Sequence, residues 1–160
     1  MKNSLKSNMY ERGLEGTWEI FGDYLSGAYE ALLCVVSHSP LSETARAALQ
    51  NSFAQRGYGA AAGTFLTICG NEPASGLPAL TEKELFAAIE GLDPLLLVVA
   101  DTPSMQLCSA AYRQEILPNQ RGRLFGREMR SFASFETMLE DSKNKQAAWA
   151  LLKSLPKFDA

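Results

Sequence analysis

The sequence predicts a single α/β domain of three layers, with helices on both faces of a mostly parallel central sheet of about four strands. Three observations lead there. Residues 31–36, 64–69 and 95–100 are short, largely apolar runs of strand length, without the polar alternation of a half-solvated sheet. Segments with helical spacing, bounded by start and stop residues, lie between them. Strand and helix therefore alternate, as they do in parallel crossover units. The 160 residues suit one domain, and at that size roughly two-thirds of the unfolded surface can be buried.

The elements follow in order. Residues 1–12 are polar and predict a flexible start. Apolar positions 14, 18, 21, 25 and 29 keep helical spacing and predict a first helix, weakened by Gly16 and Gly22. The strand at 31–36 ends in the turn cluster Ser37-His38-Ser39-Pro40. Ser42 or Thr44 then caps a helix to about Arg56, with Ala45, Leu49 and Phe53 on one face and Gly57 as its stop. The strand at 64–69 opens onto a loop rich in Gly, Pro and Ser at 70–79. Thr81 and Glu84 have capping-box spacing and start a helix predicted to reach about Glu90 and stop at Gly91.

The clearest strand is 95–100. Asp101 or Thr102 caps the next helix, with Pro103 at its first position, where a missing N–H costs nothing, and Leu107 and Ala111 turned inward. The arginine-rich stretch with Gly126 predicts a hairpin leading into a strand at about 128–132. A last helix begins near Asp141, includes Ala147, Trp149, Leu151, Leu152 and Leu155, and stops at Pro156.

A net charge of −3 gives no general attraction to nucleic acid or to an anionic membrane. Cys34, Cys69 and Cys108 are far apart, no CxxC occurs, and there is one histidine, so no zinc or iron–sulfur site is expected. The three read as buried free thiols of a reducing, cytoplasmic setting. The longest apolar run, 94–100, is far too short to span a bilayer, and no targeting segment is read at the start. No cofactor, metal or membrane partner is predicted.

Ligands of parallel sheets sit at the carboxyl ends of strands, which here are 37–40, 70–73 and 101–104. His38 is the only imidazole available for proton transfer, with Ser37 and Ser39 as neighbours and Glu43 as the nearest acid. Segments 37–44 and 102–104 lead into helix N-termini, which attract phosphate, so a small phosphorylated ligand is one hypothesis. Asn71 offers a polar edge to a base. Arg113, Arg121, Arg123, Arg127 and Arg130 place five guanidinium groups within 18 residues, a candidate nucleic-acid patch as well as an ordinary solvated hairpin. Trp18, Phe21, Tyr24 and Tyr29 form an aromatic stripe that fits core packing or docking on a partner.

Several segments are similar to motifs of one family. Val35 to Pro40 resembles a strand and catalytic loop of the form V-G-E-A-P-G. Residues 64–71 are similar to a strand reading I-T-N-V-V and its loop. Leu80-Thr81-Glu82-Lys83-Glu84 and then 93–99 resemble P-T-P-E-E … P-K-V-I-V-A-L. Phe132-Ala133-Ser134 through Leu139, then Lys145 to Trp149, look like H-P-S-x-L-L … K-x-x-x-W-x-x-L. Together, over about 31–155, these resemble the uracil-DNA glycosylase superfamily, most of all its bacterial iron–sulfur branch.

That resemblance implies the fold and argues against the activity. Where the family has His-Pro-Ser, this chain has Phe132-Ala133-Ser134, so only Ser134 is kept and the histidine that stabilises the departing base is missing. The water-positioning loop offers Ser37, His38 and Ser39, with Glu43 further on, and the cluster cysteines have no counterparts. The psi subunit of bacterial DNA polymerase III uses this fold without its chemistry, and the resemblance implies it as an analogue to test, since it too is short and has a Trp-bearing last helix. The expected function is a non-catalytic domain acting through protein or nucleic-acid contacts in DNA replication or repair. The enzymatic alternative is a diverged glycosylase or other hydrolase using residues 37–40 with Glu43, and its candidate residues are His38, Glu43, Asn71 and Ser134.

Overall fold

The computed structural model describes residues 5–158. Helix α1 (Leu5–Phe21) passes through a 3-10 turn (Gly22–Tyr24) into β1 (Leu25–Gly27). Then follow β2 (Leu33–Ser37), α2 (Glu43–Gln55), β3 (Gly63–Thr67), α3 (Glu82–Leu92), β4 (Leu96–Val99) and α4 (Thr102–Tyr112). A hairpin of β5 (Gln120–Leu124) and β6 (Arg127–Ser131), the short α5 (Phe135–Met138) and α6 (Ser142–Lys153) complete the chain.

The strands form one mixed sheet in the order β1-β3-β2-β4-β6-β5. Parallel pairings join β3 to β2, β2 to β4 and β4 to β6. The two edges are antiparallel, β1 on β3 and β5 on β6. The sheet thus has six strands rather than about four. The additional two are the edges, and each is hard to read locally. Leu25 keeps the helical spacing begun at Leu14, yet it is extended and pairs with Leu66, because the chain leaves the helix at Gly22. β5 is charged and its first four residues are not buried, so it lacks an apolar signature.

Strand β2 is central and all five of its residues are buried. Its side chains alternate between two cores, as a pleated strand requires. Cys34 and Val36 join Leu66, Leu97, Val99 and Met129 in one core, which α3 and α4 line with Leu85, Ile89, Met105 and Cys108. Leu33 and Val35 join Phe65, Leu96 and Val98 in the other, which α2 and α6 line with Leu49, Phe53, Ala148 and Leu152. Full burial of each such Leu, Val or Phe contributes about 1.5–3 kcal/mol, the main force holding the helices to the sheet.

Other boundaries differ from the sequence reading for physical reasons. Residues 5–12, expected to be flexible, belong to α1, and 1–4 lie outside the described residues. Helix α3 carries the expected capping box but continues past Gly91 to Leu92, with Asp93 left-handed at φ 50° as its cap. Gly91 serves packing instead of termination, since a Cβ there would overlap Thr17 of α1. In α4 the inward residues are Ser104, Met105 and Cys108, while Leu107 and Ala111 are half-buried. In α6 Ala148 and Leu152 are buried, Trp149 is half-buried and Ala147 faces solvent. Trp18 stacks on Tyr29 with ring centroids 5.6 Å apart, and Phe21 is buried, so most of the aromatic stripe is packing. Among the described residues no helix is long and apolar enough to cross a membrane.

Candidate functional site

The parallel strands β2, β3, β4 and β6 end along one rim, and Asp101 organises it. Its Oδ2 accepts the backbone N–H of His38 at 2.9 Å, and its Oδ1 accepts that of Ser104, also at 2.9 Å. One carboxylate therefore caps α4 and ties the β2 loop to it, satisfying two otherwise orphaned amides. Thr102 donates both its backbone N–H and its hydroxyl to the carbonyl of Ala133, and Asp101 bridges to Ser134. Residues 132–134 are thereby held beside 101–102.

Several other polar groups of the rim also have partners. Buried Ser37 donates its hydroxyl to Ser39 O at 2.8 Å, so its oxygen is turned along its own loop. Ser134 accepts from Thr137 N–H and donates to the Thr137 hydroxyl, which makes it the cap of α5. Glu136 Oε2 accepts the backbone N–H of Ser42 at 3.1 Å, and Ser42 itself caps α2 through Ala45 N–H. Asn71 is turned away, donating to Leu25 O at 2.7 Å and to Gly22 O at 3.4 Å, so that it braces β1. It lines a recess of about 290 Å³ with Asp23, Glu72, Ser75 and Leu77. Glu43 is exposed in the first turn of α2. Of the sequence candidates, then, His38 and Ser134 are brought together through Asp101, whereas the Asn71 amide serves another strand.

His38 has a neighbour that the sequence reading did not assign to it. Its Nε2 lies 3.3 Å from Cys69 Sγ and its Nδ1 3.9 Å away. The two residues are aligned because the β2–β3 ladder continues one step past the strands, with Ile68 N–H on Ser37 O and Cys69 N–H on His38 O. Cys69 is partly exposed, which corrects the expectation of three buried thiols, while Cys34 and Cys108 are buried as expected. Burial pushes the Cys34 thiol up to about 12 and raises that of Cys108 as well. The available signal for Cys69 was its position, at the exit of an apolar run and before a polar loop. Among the described residues no group of three or more His, Cys, Asp or Glu gathers at metal-binding distance.

The five arginines do not form one surface. Arg130 is fully buried against the C-terminus of α6, donating to Ser154 Oγ at 2.8 Å and Ser154 O at 2.7 Å, with Glu128 Oε1 at 3.0 Å. Arg127 is held by Glu90 at 2.7 Å, Asp93 at 3.1 Å and Pro94 O at 2.9 Å. These two are corrected from candidate nucleic-acid contacts to internal braces, because their guanidinium donors are engaged inside the protein. Arg123 is exposed and pairs with Glu128 at 2.9 Å, and Arg121 and Arg113 are exposed. Beside the hairpin, Phe86, Tyr112 and Phe125 meet with centroids 4.9–5.9 Å apart, and Phe125 is 67% exposed. Tyr112 donates to Glu90 at 2.5 Å, and burial together with that bond raises its phenol above the ordinary value. A groove of about 720 Å³ borders this cluster, lined by Thr81, Lys83, Phe86, Ala110 and Arg113 among others.

Asp101→Ala is expected to lower stability by about 2 kcal/mol, the sum of a lost helix cap and a lost charge-assisted bond to His38 N–H. Asp101→Asn, which keeps an acceptor, is expected to lose roughly half of that. Urea denaturation of the three proteins checks the order.

No family model matches the chain, and no curated protein matches it.

Proposed function

We propose that the chain is a non-catalytic α/β domain of uracil-DNA glycosylase type that acts by binding a protein partner in DNA replication or repair. The observation that supports this best is the state of the strand-end rim. Ser37, Asn71, Asp101 and Ser134 all have hydrogen-bond partners within the protein, in a place where a glycosylase needs groups aimed at water and at a base. The phenylalanine at 132, where the family motif has its histidine, is fully buried and packs edge-on against Phe135.

A phosphorylated ligand is disfavoured by the same rim. The N-termini of α4 and α2 already hold the Asp101 and Glu136 carboxylates, which complement the helix dipoles and repel a further anion. With Arg127 and Arg130 engaged internally, a protein surface fits better than a nucleic-acid backbone. The exposed Phe125, set against Phe86 and Tyr112, supplies the aromatic anchor that protein interfaces use.

Two measurements test this reading. No uracil is expected to be released from single-stranded or double-stranded DNA at stoichiometric protein. A replication or repair protein is expected to be recovered with the chain from the source cell, and to be lost with Phe125→Ala while the circular-dichroism melt is unchanged. Uracil release, or recovery indifferent to Phe125, would overturn it.

A further inference from the structure

We propose that Cys69 is a modifiable thiol, with His38 as its proton acceptor, and that it forms a mixed disulfide with a low-molecular-weight disulfide. The three cysteines differ sharply in setting. Cys34 and Cys108 are sealed in the core that α3 and α4 cover, where no reagent reaches the sulfur in the folded protein. Cys69 stands at the strand-end rim, partly exposed, with an imidazole nitrogen 3.3 Å from its sulfur. A thiol beside a base is the arrangement that activates a cysteine nucleophile, since the thiolate and not the thiol attacks.

The backbone fixes the pair. Cys69 N–H on His38 O, at 3.0 Å, sets the two residues side by side, and the Asp101 carboxylate on His38 N–H holds the loop from the other side. Among the described residues, titratable groups on the neighbouring elements include Asp101, whose oxygens both accept amides, and Tyr24. The Tyr24 hydroxyl is itself bonded to Pro78 O at 2.7 Å, which leaves His38 as the group placed to take the proton.

The step balances without a cofactor. Cys69 Sγ attacks one sulfur of the incoming disulfide as its proton passes to His38. The new Cys69 S–S bond forms, the old S–S bond breaks, and the second sulfur leaves as a thiolate that takes up the proton. Cys69 is oxidised and the small disulfide is reduced. The modification would place a bulky polar group where β2 and β3 exit the sheet, and it is independent of the partner-binding reading.

The native 160-residue chain incubated with oxidised glutathione is expected to gain one adduct, mapped by mass spectrometry to the peptide containing Cys69 and absent in Cys69→Ser. His38→Gln is expected to slow its formation about tenfold near neutral pH, and the rates of the two proteins are compared from about pH 6 to about pH 10. Rates with iodoacetamide over the same pH range give a second reading that needs no leaving thiol. An adduct on Cys34 or Cys108 in the folded protein overturns the proposal. So does the absence of any adduct, or a His38→Gln rate profile that superimposes on the native one.

Discussion

Arg130→Ala is expected to lower the unfolding free energy by about 3 kcal/mol, because it removes a fully buried cation from a partly buried polar cluster. Arg130 projects from β6 beneath α6. It donates to both the hydroxyl and the carbonyl of Ser154, the residue that caps that helix, and to Glu128 and the carbonyl of Met129. A positive charge at a helix C-terminus complements the dipole, and here solvent does not screen it. Alanine would leave the Ser154 groups and Glu128 without this donor and open a void the size of the side chain. Arg130→Met fills most of that void without supplying donors, so it is expected to recover only part of the loss. Urea denaturation of the three proteins separates the packing share from the polar share. A loss below about 1 kcal/mol for Arg130→Ala would mean that α6 docks without the guanidinium.

Gly27→Ala is expected to cost about 3 kcal/mol, combining backbone strain with a collision. Gly27 has φ 90°, which L side chains rarely adopt. A Cβ there would overlap the carbonyl oxygen of Gly63 and approach Phe65 Cδ1 to 3.2 Å. That carbonyl cannot retreat easily, because it also accepts Ala28 N–H at 3.0 Å where β1 joins β3. Gly59→Ala is the matched control. Gly59 has a similar φ of 96° with no atom near its missing Cβ, so it should show the strain alone, about 1 kcal/mol. Thermal or urea unfolding of both variants gives the size of the collision by difference. Equal effects at the two positions would show that β1 yields to the added methyl.

The interior of this fold was legible because burial on both faces writes itself as continuous apolar runs. The strands β2, β3 and β4 and the caps Ser42, Thr81, Asp101 and Asp141 stand within a residue or two of where the sequence placed them. The edges were not legible for the same reason. β1 has three residues and keeps a helical spacing by coincidence, and β5 is stabilised by pairing with β6 more than by burial. The arginines illustrate a second limit. Arg121 and Arg130 are opposite each other in the hairpin, yet one is exposed and the other fully buried, because only one lies beneath α6. Composition cannot distinguish them. The Cys69–His38 contact joins residues 31 positions apart through the β2–β3 register, which a single sequence does not reveal.

The place of β5 as the outermost strand has a consequence for how the protein avoids its own copies. An open strand edge is a template on which another chain can polymerise. The exposed guanidinium groups of Arg121 and Arg123 line this one, and Gly122 between them weakens its preference for an extended partner. Two such edges brought together would set like charges against each other. In that light the hairpin arginines disfavour the addition of a second chain to this edge.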